Sequence, residues 1–282
     1  WIADGWKDYE VIDCSGGEKL ERWGKYILVR PDPQVIWDTD KGTTVEKMNG
    51  HYHRSSKGGG EWEFFSLPEQ WSINYKGLTF QLKPFSFKHT GLFPEQAANW
   101  DGLAKDQNAG RPVKVLNLFA YTGGATLAAA KAGASVTHVD ASKGMVAWAK
   151  ENAKSSGLED APIRWIVDDA SKFVEREIRR GNHYDAIIRT RLPMEEARGR
   201  DLEDRGRDLS VGEALCKAPL RQAVILPDQL LHDRTRSGRA DLHARNSGCP
   251  QFGGTVRSEE IGLPVTGSGL VLPCGASGRW EA

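Results

Sequence analysis

The chain lacks any run of eighteen apolar residues and any basic-then-apolar leader, so neither a membrane-spanning helix nor a secretory signal is expected. Cysteine is scarce. Cys14, Cys216, Cys249 and Cys274 stand far apart with no C-x-x-C or metal-ligand spacing, which speaks against a disulfide framework or a zinc ribbon and for reduced thiols in a soluble, cytoplasmic protein without metal. An excess of either charge is also missing. Lys plus Arg and Asp plus Glu both number 38, so any binding to nucleic acid must come from a local patch rather than from the field of the whole chain. The first residue is Trp1 rather than Met, so the start of a longer chain is expected to be missing. What remains is ample for folding: 282 residues, 39% of them apolar, leave room for two domains.

Residues 113–142, VKVLNLFAYTGGATLAAAKAGASVTHVDAS, compress a strand, a turn, a helix and a second strand into thirty positions. Val113, Val115, Leu116 and Leu118 form the short apolar run of a strand buried in a parallel sheet. The chain turns at Thr122-Gly123-Gly124. Ala128, Ala129, Ala130 and Ala132 favour a helix, and Gly133 stands where a C-terminal cap glycine belongs. Val136 to Val139 is a second strand, ending in Asp140. In doubly wound sheets ligands lie beyond the carboxyl ends of the strands, so the Tyr121–Gly124 turn and Asp140 should open onto one crevice. Dinucleotide cofactors need G-x-G-x-x-G at this turn to seat a pyrophosphate. Here only two adjacent glycines follow Phe119-Ala120-Tyr121-Thr122, a bulkier turn that suits a cofactor without pyrophosphate.

Seven of the ten tryptophans fall in the first hundred residues, which sets that region apart. Tyr9 to Ile12, Tyr26 to Arg30, Glu61 to Phe65, Trp71 to Tyr75 and Leu78 to Leu82 alternate like half-buried antiparallel strands, separated by Gly- and Pro-rich turns. His51 to Lys57 forms a small basic-aromatic cluster that fits either a phosphate contact or a solvated hairpin edge. After Pro94 a helix is expected to run to Trp100 or beyond. Beyond Asp140 the alternation continues through a helix over Lys143 to Ser156 with Met145, Trp148 and Ala149 on its apolar side. A strand at Ile163 to Val167 ends in Asp168-Asp169, a helix carries Phe173 to Arg180, and a fourth strand covers Tyr184 to Ile188. Strands alternating with helices imply right-handed crossovers and a parallel α/β sheet.

FKHTGLFPEQ (87–96), VLNLFAYTGGAT (115–126), VDASKGMVAWAKEN (139–152), WIVDDASKFV (165–174) and YDAII (184–188) together carry a family resemblance. The chain resembles the class I S-adenosylmethionine-dependent methyltransferases, in the bacterial branch related to the large-subunit ribosomal RNA methyltransferases. The resemblance implies a Rossmann-like parallel sheet over 113–282, a smaller β-rich N-terminal domain over 1–85, and a linking, cofactor-covering segment over 86–112. It implies S-adenosyl-L-methionine as cofactor and RNA, ribosomal RNA first, as methyl acceptor. Phe119, Tyr121, Gly123 and Gly124 would line the methionine side, Asp140 would take the ribose hydroxyls and Asp169 with Asp168 the adenine amine, and Ser142 would also belong to the cofactor site. Thr90, Phe93 and Gln96 would lie over the cofactor. For the strand-end carboxylates a helix cap is the plainer competing role. A relative that binds RNA without catalysing transfer is the competing functional class.

The family holds its acceptor with an Asp-Pro-Pro turn after the fourth strand, and this chain reads Arg189-Thr190-Arg191-Leu192-Pro193 instead. Codons compatible with Arg189 to Gly199 permit DPPSYGRGPG in a shifted frame, and those after Arg200 permit a string containing PLFFLI, a buried strand. Residues 189–250 are therefore expected to be frame-shifted, with the family pattern resuming near Gln251 and the literal polypeptide poorly ordered there and inactive. The shifted string offers no cysteine at the fifth strand's end, which favours an oxygen or nitrogen acceptor over cytosine C5. Independent reads of the gene should show inserted or deleted bases near codons 189, 199 and 240–250; an unbroken locus removes this reading.

Overall fold

The computed structural model describes residues 1–38, 47–55, 59–85, 88–103, 113–190, 222–226 and 255–281, with backbone alone at 190, 222–226 and 280–281. They fall into two compact units: Trp1–Ala98 with Ile261–Cys274, and Asn99–Glu260 with Gly275–Ala282.

The first unit is β-rich. Strands β1 (Tyr9–Ser15), β2 (Glu18–Trp23), β3 (Tyr26–Pro31), β4 (Gly50–Arg54) and β5 (Gly60–Phe64) form one sheet in that order. All neighbours are antiparallel except β3 and β4. A separate hairpin pairs β6 (Trp71–Tyr75) with β7 (Leu78–Leu82), burying Trp71, Ile73, Tyr75, Leu78, Phe80 and Leu82 on alternate positions. Lys76 (φ 45) and Gly77 (φ 79) close it with two left-handed residues, the turn whose twist matches its strands. β2 and β4 are not among the strands expected from alternation. In β2 the inward row includes a carboxylate: Glu21 is 0% exposed, so the apolar pattern is broken where the strand is most buried.

That carboxylate is fully answered. Glu21 accepts from the Tyr9 hydroxyl (2.6 Å) and from Arg30 Nε (2.6 Å) and Nη2 (2.9 Å), with Lys19 Nζ at 3.5 Å. Arg30 also donates to the Lys88 carbonyl (2.9 Å) and lies 5.1 Å from the Trp23 ring. Burial by itself would raise the Glu21 pKa, but the charges of Arg30 and Lys19, with the hydrogen bonds from Arg30 and Tyr9, hold it down at about 2.

The second unit is the α/β part. β8 (Lys114–Leu118), β9 (Ser135–Asp140), β10 (Ile163–Val167) and β11 (Ala186–Thr190) are parallel, and β12 (Gln222–Leu226) adds to β11. With β13 (Thr255–Pro264) and β14 (Val271–Glu281), whose residues 261–264 and 271–274 count with the first unit, the sheet order is β10-β9-β8-β11-β12-β14-β13. The order reverses at β8, so the crevice of a doubly wound sheet falls at the carboxyl end of β8. Val115 to Leu118 are all buried, as the continuous apolar run requires. Helix α1 (Ala97–Leu103) follows a short 3-10 turn at Pro94–Gln96. α2 (Gly124–Lys131) is alanine-rich and buried on nearly every position, α3 (Lys143–Ser155) buries Val146, Trp148, Ala149, Asn152 and Ala153, and α4 (Ala170–Arg179) buries Phe173 and Val174. Leu116, Leu118, Val139, Phe173, Val174 and Ile187 meet in one core.

β12 departs from expectation: Gln222–Leu226 lies within the stretch expected to be badly ordered, yet its backbone pairs with β11 and with β14. The short apolar run of Ala223 to Leu226 supplies a fifth parallel strand as written. The rest of the stretch, 191–221 and 227–250, lies outside the described residues.

Because the Glu21 carboxyl titrates below its unfolded value of about 4.3, its contribution to stability is present above that pH and lost as pH falls toward 2. Urea unfolding followed by tryptophan fluorescence should show a steepened loss of stability between about pH 4 and pH 2, flattened in Glu21→Gln. At pH 7 Glu21→Ala should cost about 3 kcal/mol or more, because it strands the Arg30 charge.

Candidate cofactor site at the carboxyl ends of the parallel strands

The β8–α2 turn bends through unusual backbone. Phe119 (φ 53) and Tyr121 (φ 52) are left-handed without being glycine, and Gly123 (φ 89) follows them. Two such residues in one turn are held only where surrounding contacts over-determine them. The contacts are visible. Ala120 N donates to the Val139 carbonyl (3.1 Å), Gly123 N to the Ala120 carbonyl (3.0 Å), and buried Asn152 reaches from α3 to donate Nδ2 to the Thr122 carbonyl (2.9 Å). From the front, Asp140 Oδ2 accepts the Tyr121 amide (2.8 Å) while its Oδ1 accepts the Ser142 amide (2.8 Å). One carboxylate thus fastens the turn after β8 to the loop after β9.

The paired glycines have separate reasons. A Cβ on Gly123 would stand 3.0 Å from both Ala149 Cβ and Leu127 Cδ1, in a backbone region that already favours glycine. On Gly124 a Cβ would meet the Trp100 ring at 2.5 Å. Beneath the turn, Asn117 Nδ2 donates to Thr126 Oγ1 (2.8 Å), which lies 2.9 Å from His138 Nδ1. Burial lowers the His138 pKa to about 3, so this imidazole is neutral at physiological pH and ties α2 to β8 and β9 without adding charge.

The carboxylates beyond β9 and β10 divide their work. Ser142 caps α3, its hydroxyl accepting from Met145 N at 3.4 Å, and Asp169 caps α4, accepting from Lys172 N at 3.0 Å. Asp168 Oδ1 accepts from the Asp169 amide (2.9 Å), its own amide donates to the Asp140 carbonyl (3.0 Å), and its Oδ2 pairs with Arg176. Asp140, Asp168 and Asp169 all remain half-exposed, and beside them Val167 leaves half its surface to solvent at the end of β10. Carboxylates that accept from hydroxyl and amine groups, beside an exposed apolar face, form an acceptor set that fits an adenosine. Thr90, Phe93 and Gln96 belong to the first unit. Thr90 is fully buried, its hydroxyl without a hydrogen-bond partner among the described residues; Phe93 precedes the 3-10 turn, its ring 5.3 Å from His89, and Gln96 N donates back to the Phe93 carbonyl.

At the end of β11, Arg189 is 5% exposed and its guanidinium carbon lies 6.0 Å from the Phe119 ring centroid. Sequence reasoning missed Arg189, Trp100, Asn152, Val167 and Arg176 as parts of this site. Asn152 was findable as a polar residue on the apolar stripe of α3; Trp100 has no local signal, since its partner Gly124 is 24 positions on. In the basic-aromatic cluster His51 lies 2.7 Å from Glu18 and His53 2.8 Å from Glu63, while Ser56 and Lys57 lie outside the described residues.

A Rossmann-like sheet with a glycine turn after its central strand and an acid ending the next strand defines a nucleotide-type cofactor domain of the methyltransferase class. A family profile described as S-adenosylmethionine-dependent methyltransferase matches residues 28–247, and the chain belongs to that family. A solved S-adenosylmethionine-dependent methyltransferase from Agrobacterium tumefaciens is 34% identical, with a TM-score of 0.84 over 100% of this chain and 93% of that one. A methyltransferase structure from Streptococcus mutans, 16% identical with a TM-score of 0.71 over 98% of this chain and 76% of that one, shares the fold. Among curated proteins, the ribosomal RNA large subunit methyltransferase K/L of Shewanella baltica is 37% identical over 99 residues, 35% of this chain and 14% of that protein. Its counterpart in Colwellia psychrerythraea is 30% identical over 167 residues, 59% of this chain and 21% of that protein. The chain thus spans about a fifth or less of the curated relatives it matches.

Gly124→Ala should destabilise the second unit by roughly 1 to 3 kcal/mol through the overlap with Trp100. Thermal melts of Gly124→Ala, Trp100→Leu and the pair check this: the double variant should recover part of the loss, and additive losses would dissociate the glycine from the ring.

Proposed function

We propose that this chain transfers the sulfonium methyl of S-adenosyl-L-methionine to RNA, with ribosomal RNA as the first acceptor to test. The observation that carries the cofactor half is the Asp140 clasp, which draws the Phe119–Gly124 turn and the loop after β9 against one half-exposed carboxylate. Oδ1 and Oδ2 each accept one backbone amide and retain a lone pair for a ribose hydroxyl. Asp168 and Asp169 stand where an adenine amine would donate, Val167 offers its exposed face to the base, and Ser142 holds the loop between them by capping α3. Phe119, Tyr121, Gly123 and Gly124 would border the methionine end; for Thr90, Phe93 and Gln96 a covering role rests on the resemblance alone.

The bound cofactor supplies an activated methyl whose leaving group needs no covalent help. The residues therefore have to bind, orient and exclude water. A thiol nucleophile is disfavoured among the described residues. Burial pushes the Cys14 thiol up to about 12 and the Cys274 thiol well above its ordinary value, so neither is a thiolate near neutral pH. Cys216 and Cys249 lie outside the described residues. This supports direct displacement onto an oxygen or nitrogen atom rather than attack on a cytosine ring. The RNA half is supported by the names of the K/L relatives.

Calorimetry with S-adenosylhomocysteine should give saturable binding that falls at least tenfold in Asp140→Ala, the two lost amide bonds and the lost ribose contacts acting together, about 1.4 kcal/mol or more. Transfer of labelled methyl to ribosomal RNA then tests the acceptor. Binding without transfer to any RNA would overturn the acceptor and leave the cofactor reading; no binding would overturn both.

A further inference from the structure

Behind the turn after β8 stands a polar side chain with no exposed surface. Asn152, on α3, donates Nδ2 to the Thr122 carbonyl at 2.9 Å, across 30 positions of sequence. A carbonyl only accepts, so this contact requires the carboxamide to present its nitrogen to the turn. One helical turn earlier, Ala149 is equally buried and packs on the same turn, since a Cβ added to Gly123 would stand 3.0 Å from the Ala149 Cβ. α3 thus comes against the turn along one line, with Ala149 allowing the approach and Asn152 supplying the hydrogen bond.

The peptide between Thr122 and Gly123 is held at both ends. Its oxygen accepts from Asn152, and its N–H donates to the Ala120 carbonyl at 3.0 Å. Around it the backbone is strained, with Phe119 (φ 53) and Tyr121 (φ 52) left-handed, while Gly123 (φ 89), free of a Cβ, has other backbone wells open to it. Packing alone does not call for a carboxamide at position 152. The stripe of Val146, Trp148, Ala149 and Ala153 would accept an apolar residue of the same branched shape, and one with better helix propensity than asparagine. The donor is what an apolar residue would not supply.

We propose that Asn152 is a positioning residue for the methionine end of the cofactor: by holding the Thr122–Gly123 peptide it keeps the Tyr121–Gly124 turn in the form that receives the amino-acid part of the ligand. The proposal rests on the cofactor reading above. Asn152 touches no reacting atom and acts through the population of one turn conformation. The apparent dissociation constant is the intrinsic one divided by the fraction of molecules in the competent form, so a turn that is competent a tenth of the time binds about tenfold more weakly. The acids assigned to the adenosine end are fastened without Asn152. Asp168 accepts from the Asp169 amide, Asp169 accepts from Lys172 N, and Asp140 keeps its bond to the Ser142 amide. Loss of the Asn152 donor therefore acts on one end of the ligand and spares the other.

The test compares two ligands by calorimetry on the full chain, on Asn152→Leu, which keeps the branched shape and removes the donor, and on Asn152→Ala. S-adenosylhomocysteine carries the amino-acid part; 5′-methylthioadenosine is a nucleoside thioether without it. Both variants should bind S-adenosylhomocysteine about tenfold more weakly and 5′-methylthioadenosine as the native chain does. Hydrogen exchange on the unliganded proteins should be faster over residues 119–124 in the variants, with the protection of β8 to β11 unchanged, which also reports that each variant is folded. Native affinity for S-adenosylhomocysteine in Asn152→Leu overturns the proposal. So does an equal loss for both ligands, which marks general damage to the site, and so does unchanged exchange in the turn. Failure of S-adenosylhomocysteine to bind the native chain overturns the cofactor reading first and this inference with it.

Discussion

The Asp140 carboxylate is the constraint on which the second unit's site depends. The turn after β8 contains two left-handed non-glycine residues, a conformation that costs roughly 1 to 3 kcal/mol per residue when nothing holds it. Backbone amides from Tyr121 and Ser142 converge on that one side chain, at 2.8 Å each, and charge-assisted bonds of this kind are among the stronger ones a fold can make. The same two bonds fix how far the β8 turn stands from the start of α3. Asn152 completes the arrangement from behind by holding the Thr122 carbonyl. A ligand lodged here would meet a turn already set by contacts that do not involve it.

The first unit solves a different problem by similar means. Its sheet contains a carboxylate with no access to water, and Tyr9, Arg30 and Lys19 converge on it. Replacing such a cluster with apolar residues of equal volume would often be no less stable, so its presence is better understood as fixing which strands pair. Arg30 also reaches the Lys88 carbonyl, so the cluster fastens the segment beyond β7 to the sheet. A buried network of that kind makes the register of β2 against β3 nearly unique, because a one-residue slip would turn Glu21 away from Arg30.

Much of the α/β part was legible because its signals are local. Each parallel strand is a short apolar run, and α3 and α4 have capping side chains in front of them, so β8 to β11, α2 and α3 are found within a residue or two of their expected places, while α4 begins three residues ahead of Phe173. In the first unit β2 and β4 escaped. One carries its buried carboxylate in the middle of the inward row, and the other has only Gly50 and Tyr52 truly buried. β12 escaped for a different reason: four apolar residues in an Arg- and Asp-rich neighbourhood acquire strand character from the partners on either side. For the site, the turn and the acid were readable from spacing, whereas Trp100, Arg176 and Arg189 act across distances in sequence that no local pattern encodes. Ser142 and Asp169 show the limit in another form, because a residue that ends a strand and begins a helix serves the helix whether or not a ligand is present.

The glycine pair illustrates why the acid carries more information than the glycines do. Gly123 is required by its φ and by Ala149 and Leu127, and Gly124 by the Trp100 ring, so both would be needed in a protein that bound nothing. Packing therefore accounts for the feature most often taken as the mark of a cofactor turn. The half-exposed carboxylates have no such sufficient internal cause, since Asp140, Asp168 and Asp169 could satisfy their loops and be covered, yet each keeps a face toward solvent beside an exposed valine. Groups left accessible at the carboxyl ends of two adjacent strands are where a doubly wound sheet binds its ligand. The scaffold builds the turn for its own packing, and the acids that it leaves uncovered are the groups still open to a ligand.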